Sequence, residues 1–432
     1  MQEMTDATEP SKSIHDLNSV LKRDVELKGP MRWDNFMREA LYHPDFGYYN
    51  REAEGRVGKQ GDFYTSVSVG SCLGLLIAFQ SWDWLRERDR ERKSQDNDKP
   101  FRLMECGAHD GSLAVDVLEA ATKYASNSDA TKEAWLEYWI LEPSCSRRML
   151  QENRLKERLG SDGLKNVHWV SSWEEGQQRL KDNRVNEGQD LYRGWDLIFG
   201  NELLDAFPVR RFVWKKSAQL WEESGVEWDE STETWKWTSL PGVSFEKLPA
   251  PDHAQWATTE VMDQLPDGFV IEWSPEAERW WRDAADALCP GGRLWTLDYG
   301  HETERFWETA RSKGTLRAYK NHKLVDNPLA TPGDQDLTAA VHFTAIRNVG
   351  ESSGLITETH PLETQAKNLT EVLKKLWIWK EANTEKPEAP WAEFEWSPQF
   401  ARQFQTLTHP EHLGSIFRCL IQQKPKTTSP LI

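Results

Sequence analysis

Two hydrophobic rhythms run through the chain, and the place where one gives way to the other organises the rest. Phe101, Leu103 and Met104 form a short apolar run that ends in Glu105. The turn Cys106-Gly107-Ala108-His109-Asp110-Gly111 follows, and then Leu113, Val117, Ala120 and Tyr124 recur every three to four residues, as on one face of an α-helix. A strand, a small-residue turn and a helix in this order predict the first unit of a doubly wound α/β sheet. Ligands of such sheets lie beyond the carboxyl ends of the strands. Further strands of the same sheet are expected at 138–142, 167–170, 195–200 and 291–300.

The flanks follow other patterns. A helical pattern from about 14 to 43 breaks at Gly29-Pro30, resumes from Met31 with Phe36, Ala40 and Leu41 inward, and stops at His43-Pro44. A second helix, about 70–93, ends in the mixed-charge run RERDRERK, which reads as a solvated helix end. Residues 209–250 alternate apolar and polar between turn signals, which predicts an antiparallel excursion from the parallel sheet. A short strand is expected at 269–273, and a helix at 275–288. A polar segment, 314–346, ends in a short apolar strand. A helix at 360–380, a Pro/Glu-rich linker at 381–390 and a helix–turn–strand close the chain.

Composition narrows the function. The 432 residues are too many for one small domain, and 38% hydrophobic with 11% aromatic residues suffices for a substantial core. The 23 Trp read as core and cleft filler. A net charge of -17 repels a polyanion, so nucleic-acid binding is not expected and a basic protein partner is. Five scattered Cys without CxxC spacing predict reduced thiols and no structural zinc. His301, His322 and His342 lack metal-ligand spacing, so no metal site is expected. The acidic, polar start MQEMTDATEPSKS and the absence of a run of roughly 20 apolar residues predict a soluble protein of the cytoplasm without a membrane span.

The turn after 105 admits several chemistries. A dinucleotide fingerprint needs G-x-G-x-x-G, and a P-loop needs a following Gly-Lys-Ser/Thr; neither is present. A methyltransferase turn of the E/D-x-G-x-G-x-G kind is matched by Glu105, Gly107 and Gly111 but not by His109. An ordinary tight βα turn also fits. Glu142 ends the second strand, where a carboxylate can bind ribose hydroxyls or offset a helix N-terminus. Asn201-Glu202 and Asp205 reach the same rim from the fourth strand, as candidates to hold a cationic acceptor or as a capped, acidic helix start.

Taken together, the segments GPMRWDNFMREALYHPDFGYY, GDFYTSVSVG, MECGAHDGSLAVDVL, LEPS, FGNELLDAFPVRRFVW, GGRLWTLDYG, GTLRAYKNHK, PGDQDLTAAVHFTAI and HPEHLGSIFRCL resemble, in order, those of the MidA family. Members of that family are S-adenosylmethionine-dependent methyltransferases related to the mitochondrial arginine methyltransferase that assists respiratory complex I assembly. The resemblance implies a class I, Rossmann-like sheet with inserted substrate-facing elements. It also implies a protein substrate, for which a respiratory-complex subunit is one expectation. A non-catalytic assembly scaffold that keeps the ligand is the alternative.

By the same resemblance Gly61, Asp62, Phe63, Thr65 and Ser66 would sit by the methionine end of the cofactor. Glu105, Gly107 and Gly111 would form its turn, Glu142 would take the ribose, and Trp173 would lie near the adenine. Asn201, Glu202 and Asp205 would line the mouth of methyl transfer. The expected division runs as a tail at 1–13, a helical cap with a cofactor-facing loop at 14–100, and core at 101–208. An inserted antiparallel element occupies 209–268, followed by core again at 269–300 and a substrate-facing insertion at 301–360. C-terminal helices with a closing strand, 361–424, and a tail, 425–432, complete it. Two departures from the family stand out: GAHDGS replaces GPGRGT, and Ala340-Val341-His342-Phe343 replaces His-Val-Asp-Phe, which removes an acid.

Overall fold

The computed structural model describes residues 16–51, 65–91, 99–125, 135–185, 194–240, 259–321, 323–360 and 363–426. Its central sheet is built from β1 (Phe101–Cys106), β2 (Leu136–Leu141), β3 (Val167–Val170), β4 (Trp195–Asn201), β5 (Leu288–His301), β6 (Ile356–Thr357) and β7 (Phe417–Gln423). They lie in the order β6-β7-β5-β4-β1-β2-β3, with the two-residue strand Val341–His342 paired parallel to the end of β5. From β5 across to β3 every pairing is parallel, while β7 runs antiparallel to both β5 and β6. The chain winds outward from β1 to β3, then returns past β1 to place β4 and β5 on the other side. The reversal leaves a crevice at the carboxyl ends of β1 and β4.

Helices on both faces explain why these strands read as almost unbroken apolar runs. Side-chain alternation divides each strand between two cores. Leu103, Ile140, Phe199 and Trp295 face one core with the helices Cys72–Glu91 and Ser112–Ala125. Met104, Trp139, Ile198 and Leu294 face the other, with the helices Trp173–Val185, Pro275–Ala287 and Phe343–Ser352. Trp139, Trp195 and Trp295 are fully buried in these layers. All five cysteines are free thiols.

Two smaller sheets sit over the carboxyl end. In the first, Leu220–Asp229 pairs antiparallel with Arg210–Lys215, Thr234–Ser239 and Met31–Arg32. Val270–Trp273 joins this sheet beside Arg210–Lys215 rather than the central one. In the second, Arg317–Lys320 lies between Lys323–Val325 and Asp336–Thr338. The helices Leu17–Lys28 and Trp33–Tyr42 pack Leu21, Phe36, Ala40 and Leu41 against Val226, Ala318 and Leu337, which ties both sheets together.

Two local expectations are corrected. Met31 does not resume a helix: Met31–Arg32 is a two-residue strand and the helix starts at Trp33. The apolar strand expected near 341–346 shrinks to Val341–His342, followed by the helix Phe343–Ser352. The His342 side chain is the reason. Its Nδ1 accepts the backbone N–H of Ala345 at 3.0 Å, the bond by which an N-cap satisfies a free helix donor. An aspartate at this position would do the same, so the family's acid reads as a cap. The His342 ring also stacks on Phe306, with centroids 4.5 Å apart. His342→Ala is expected to cost about 1 kcal/mol or more in urea unfolding, and His342→Asp to recover the capping part of that loss; equal losses in both variants would dismiss the cap.

Candidate functional site

At the reversal point lies a cavity of about 780 Å³, within the ~300–1,000 Å³ common for small-molecule sites. Its wall brings together Glu105, Gly107, His109 and Asp110 from the β1 turn with Asn201, Glu202 and Asp205 beyond β4. Thr65, Val67 and Ser68 close one side, and Tyr299 and Phe417 come from β5 and β7. Tyr49, Arg317, Tyr319, Asp336 and Thr338 reach it from the helical cap and the small sheet, and Arg154 from the helix Cys145–Gly163.

The turn after β1 is shaped by left-handed backbone. Gly107 has φ 75°, and a Cβ there would come within 2.9 Å of Leu203 Cδ1, so a side chain would push on the β4 turn. Gly111, at φ 81°, packs on Leu155 behind the turn and does not line the cavity. His109, the departure from the family's glycine, adopts φ 48°. The left-handed path is kept, and histidine is among the non-glycine residues that tolerate it. Gln151 Nε2 fixes the turn by donating to His109 O at 3.0 Å and also to Glu142 Oε2 at 3.0 Å. Burial alone would raise the Asp110 carboxyl, but His109, Arg154 and the Ser112 N–H outweigh it and hold that carboxyl below its usual range.

The opposite wall is acidic. Asp298, fully buried at the end of β5, accepts the N–H groups of Leu203 at 3.0 Å and Leu204 at 2.7 Å on Oδ2, and that of Tyr299 at 2.8 Å on Oδ1. Glu202 follows in left-handed backbone, φ 52°, a strain of roughly 1–3 kcal/mol for such a residue. Its Oε1 accepts Ser66 N at 2.8 Å and Asn201 Nδ2 at 3.0 Å. Asp336 accepts the Tyr49 hydroxyl at 2.9 Å. Burial raises the carboxyls of Glu202, Asp205 and Asp298, that of Asp298 to about 7. For Asp205 the neighbouring charges of Asp298, Asp336 and Glu202 add to burial and push it well up. Carboxylates this close resist ionising together until a cation joins them.

Among the sequence-predicted residues, Thr65, Glu105, Gly107, Asn201, Glu202 and Asp205 meet at the cavity. Ser66 lies just behind it, fully buried. Glu142 and Trp173 do not line it: Glu142 is turned toward Ser144 N, 2.9 Å away, and Gln151, while Trp173 packs near Trp195 and Trp280. Gly61, Asp62, Phe63 and His322 lie outside the described residues. No cluster of metal-binding side chains occurs among the described residues. Sequence reading missed Asp298, Asp336, Tyr49 and Tyr319 as site residues. Asp298 was visible as a carboxylate at a strand end, whereas Asp336 and Tyr319 arrive from a sheet whose pairing has no local signal.

The residues fit a cationic, adenosine-bearing ligand. Asn201 Oδ1 is buried without a hydrogen-bond partner among the described residues, an acceptor that a bound amino group would satisfy. The glycine turn leaves room for close backbone approach, and the carboxyl groups offset a sulfonium.

A Rossmann-like sheet with this cavity at its reversal point defines a class I methyltransferase. Residues 76–360 match the family described as "Putative S-adenosyl-L-methionine-dependent methyltransferase", and the chain belongs to it. Its cofactor is therefore S-adenosylmethionine. The chain is 27% identical over 369 residues to the mitochondrial protein arginine methyltransferase NDUFAF7 homolog of Drosophila melanogaster, spanning 84% of this chain and 76% of that protein. It is 26% identical over 333 residues to mitochondrial NDUFAF7 of Homo sapiens, spanning 76% and 67%. The fold is similar to that of a Burkholderia thailandensis protein crystallised bound to S-adenosyl-homocysteine, with a TM-score of 0.71 at 22% identity over 96% of this chain and 93% of that one. The names of the relatives overturn the cytoplasmic location expected from the sequence, because they are mitochondrial proteins. Charge near the start of a chain is a weak guide to compartment. Among the described residues no helix is long and apolar enough to cross a membrane.

Glu105 offers a test of the site's electrostatics. Burial lifts its carboxyl from an ordinary 4.5 to about 7, against the 2.8 Å hydrogen bond from the Tyr138 hydroxyl. The folded protein thus holds this proton more tightly than the unfolded chain does. Stability contributed at low pH is lost as pH rises through about 7. Glu105→Gln keeps an acceptor for Tyr138, so without cofactor it should gain on the order of 3 kcal/mol over wild type between pH 4 and pH 8 in urea unfolding. A difference independent of pH would mean that Glu105 titrates as an ordinary carboxyl.

Proposed function

We propose that this methyltransferase acts on an arginine side chain of a partner protein. The observation that carries the reading is the acidic wall of Glu202, Asp205 and Asp336, backed by Asp298, facing the cofactor turn across one cavity. The names of the relatives support it. A scaffold that only binds has no need of carboxyl groups crowded against their own ionisation, so that reading is not favoured.

Bound S-adenosylmethionine supplies an electrophilic methyl group on a positively charged sulfur. The chain's part is to place a nitrogen in line with it and to manage charge. Glu202 and Asp205 grip the planar guanidinium, whose forked donors suit paired carboxylate contacts. They orient one nitrogen toward the methyl group and take up the proton that nitrogen loses as it becomes methylated. In this reading Glu105, Gly107 and Gly111 hold the cofactor turn, and Thr65 and Ser66 border its methionine end. Asn201 accepts from its amino group. Glu142 takes the ribose, reached by adjustment of the Gln151 network, and Trp173 lies toward the adenine.

The test is transfer of labelled methyl groups from S-adenosylmethionine to extract of cells lacking this protein, followed by hydrolysis and identification of the labelled amino acid. Methylarginine is expected, with a respiratory-complex subunit the first acceptor to examine. Label confined to lysine or to small molecules would overturn the reading. Glu202→Gln and Asp205→Asn should each lower kcat/KM for the acceptor by about a hundredfold or more, with Kd for S-adenosylmethionine changed only a few-fold.

The pH dependence has a definite sign. Burial raises these carboxyls, and a bound guanidinium favours their ionised form, so acceptor binding releases protons. KM for the acceptor should therefore fall as pH rises from 6 to 8. A KM that rises over this range would contradict the assignment.

A further inference from the structure

The helices at the end of the chain reach the acidic wall through two buried side chains. Gln365 opens the helix Gln365–Ala382 and is fully buried. Its Nε2 donates to Leu407 O, 3.0 Å away in the helix Pro398–Thr408. An amide held in this way must turn its oxygen the other way, and Oε1 accepts the Ser66 hydroxyl at 3.1 Å. Ser66 is itself fully buried, and its backbone N–H donates to Glu202 Oε1 at 2.8 Å. Asn201 Nδ2 adds the second bond to the same oxygen. Oε2 is left without a donor among the described residues, at the cavity wall.

We propose that Gln365 is a positioning residue for methyl transfer: through Ser66 it fixes the backbone donor that orients Glu202, which makes the C-terminal helices part of the active site. Both Ser66 and Gln365 fall outside the segment 76–360 that matches the family. Glu202 needs such support because its backbone is left-handed, a conformation that persists only where the surroundings over-determine it. The backbone and side-chain donors of Ser66 and the Asn201 amide favour the charged carboxylate, so loosening Ser66 makes the acid harder to ionise as well as less well aimed. The assignment of Glu202 to the acceptor rests on the proposed function; its anchoring by Gln365 does not.

The experiment uses the full chain in four forms: wild type, Ser66→Ala, Gln365→Leu and the double variant. Ser66→Ala keeps the backbone donor and removes only the hydroxyl, so it remains informative if Gln365→Leu folds poorly. The Glu202 carboxyl carbon is titrated by ¹³C NMR in protein labelled at glutamate, with Glu202→Gln assigning the signal. The midpoint should rise by about one pH unit in each single variant and no further in the double, as two members of one linkage require. Where wild type labels arginine, kcat should fall about tenfold in the same variants and its acid-side inflection should move to higher pH by the same amount. An unchanged Glu202 midpoint in Ser66→Ala, or shifts that add in the double variant, would overturn the linkage. Wild type that labels no arginine would defeat the proposed function, while the NMR midpoints would still decide the anchoring.

Discussion

The Asp298 carboxylate is the constraint on which the site depends. It lies near the end of β5 with no exposure to solvent, and it accepts two backbone N–H groups from the turn after β4 and one from the next residue of its own strand. A chain leaving the buried end of a parallel strand must find partners for its amides, since unpaired donors in the interior are costly. Asp298 supplies them to Leu203 and Leu204 and so fixes where the chain can go after Asn201. Glu202 is thereby forced into left-handed backbone and Asp205 into the cavity. The acidic wall is a product of strand-end bookkeeping as much as of ligand chemistry.

Much of the fold was legible because parallel strands buried on both faces leave continuous apolar runs, and the helices between them leave three-to-four-residue spacing. β1, β3 and the amphipathic helix after β1 are readable on those grounds. Part of the cavity wall came with them, since Glu105, Gly107 and Asn201 are fixed by the strand ends themselves. The rest of the wall did not. Asp336 and Tyr319 enter on strands of three and four residues in a small sheet of their own, and Tyr49 enters from a loop and finds Asp336 287 residues away. Pairings that short carry no periodicity, and the contact that defines them is tertiary.

Departures from the family pattern proved conservative in backbone terms. His109 takes the left-handed conformation that a glycine would hold, and its carbonyl is bound by Gln151. His342 keeps an acceptor on the amide of Ala345, where an aspartate would have acted. In each case the element required is a dihedral or a hydrogen-bond acceptor, and more than one residue type provides it. A motif read as letters registers a loss where the local physics registers a substitution.

The two halves of the cavity therefore answer to different constraints. The turn after β1 must admit an invariant cofactor, and the sheet that carries it is held by two full hydrophobic layers. The opposite wall joins Glu202 and Asp205, which follow β4, to the cap helices and the small sheet, with polar contacts across the seam such as Tyr42 to Ala206 O at 2.9 Å and Ala339 N to Asp205 O at 2.9 Å. Methyl transfer requires both that a nitrogen be placed within bonding reach and that water be kept away from the charges that hold it. A wall gathered from several segments suits both demands, because it brings Asp336 from the small sheet to the same cavity as Glu202 and Asp205 at the end of β4. Leu203, between Glu202 and Asp205, also meets the turn at Gly107, where a Cβ would come within 2.9 Å of its Cδ1, so the two sides of the cavity are packed against each other.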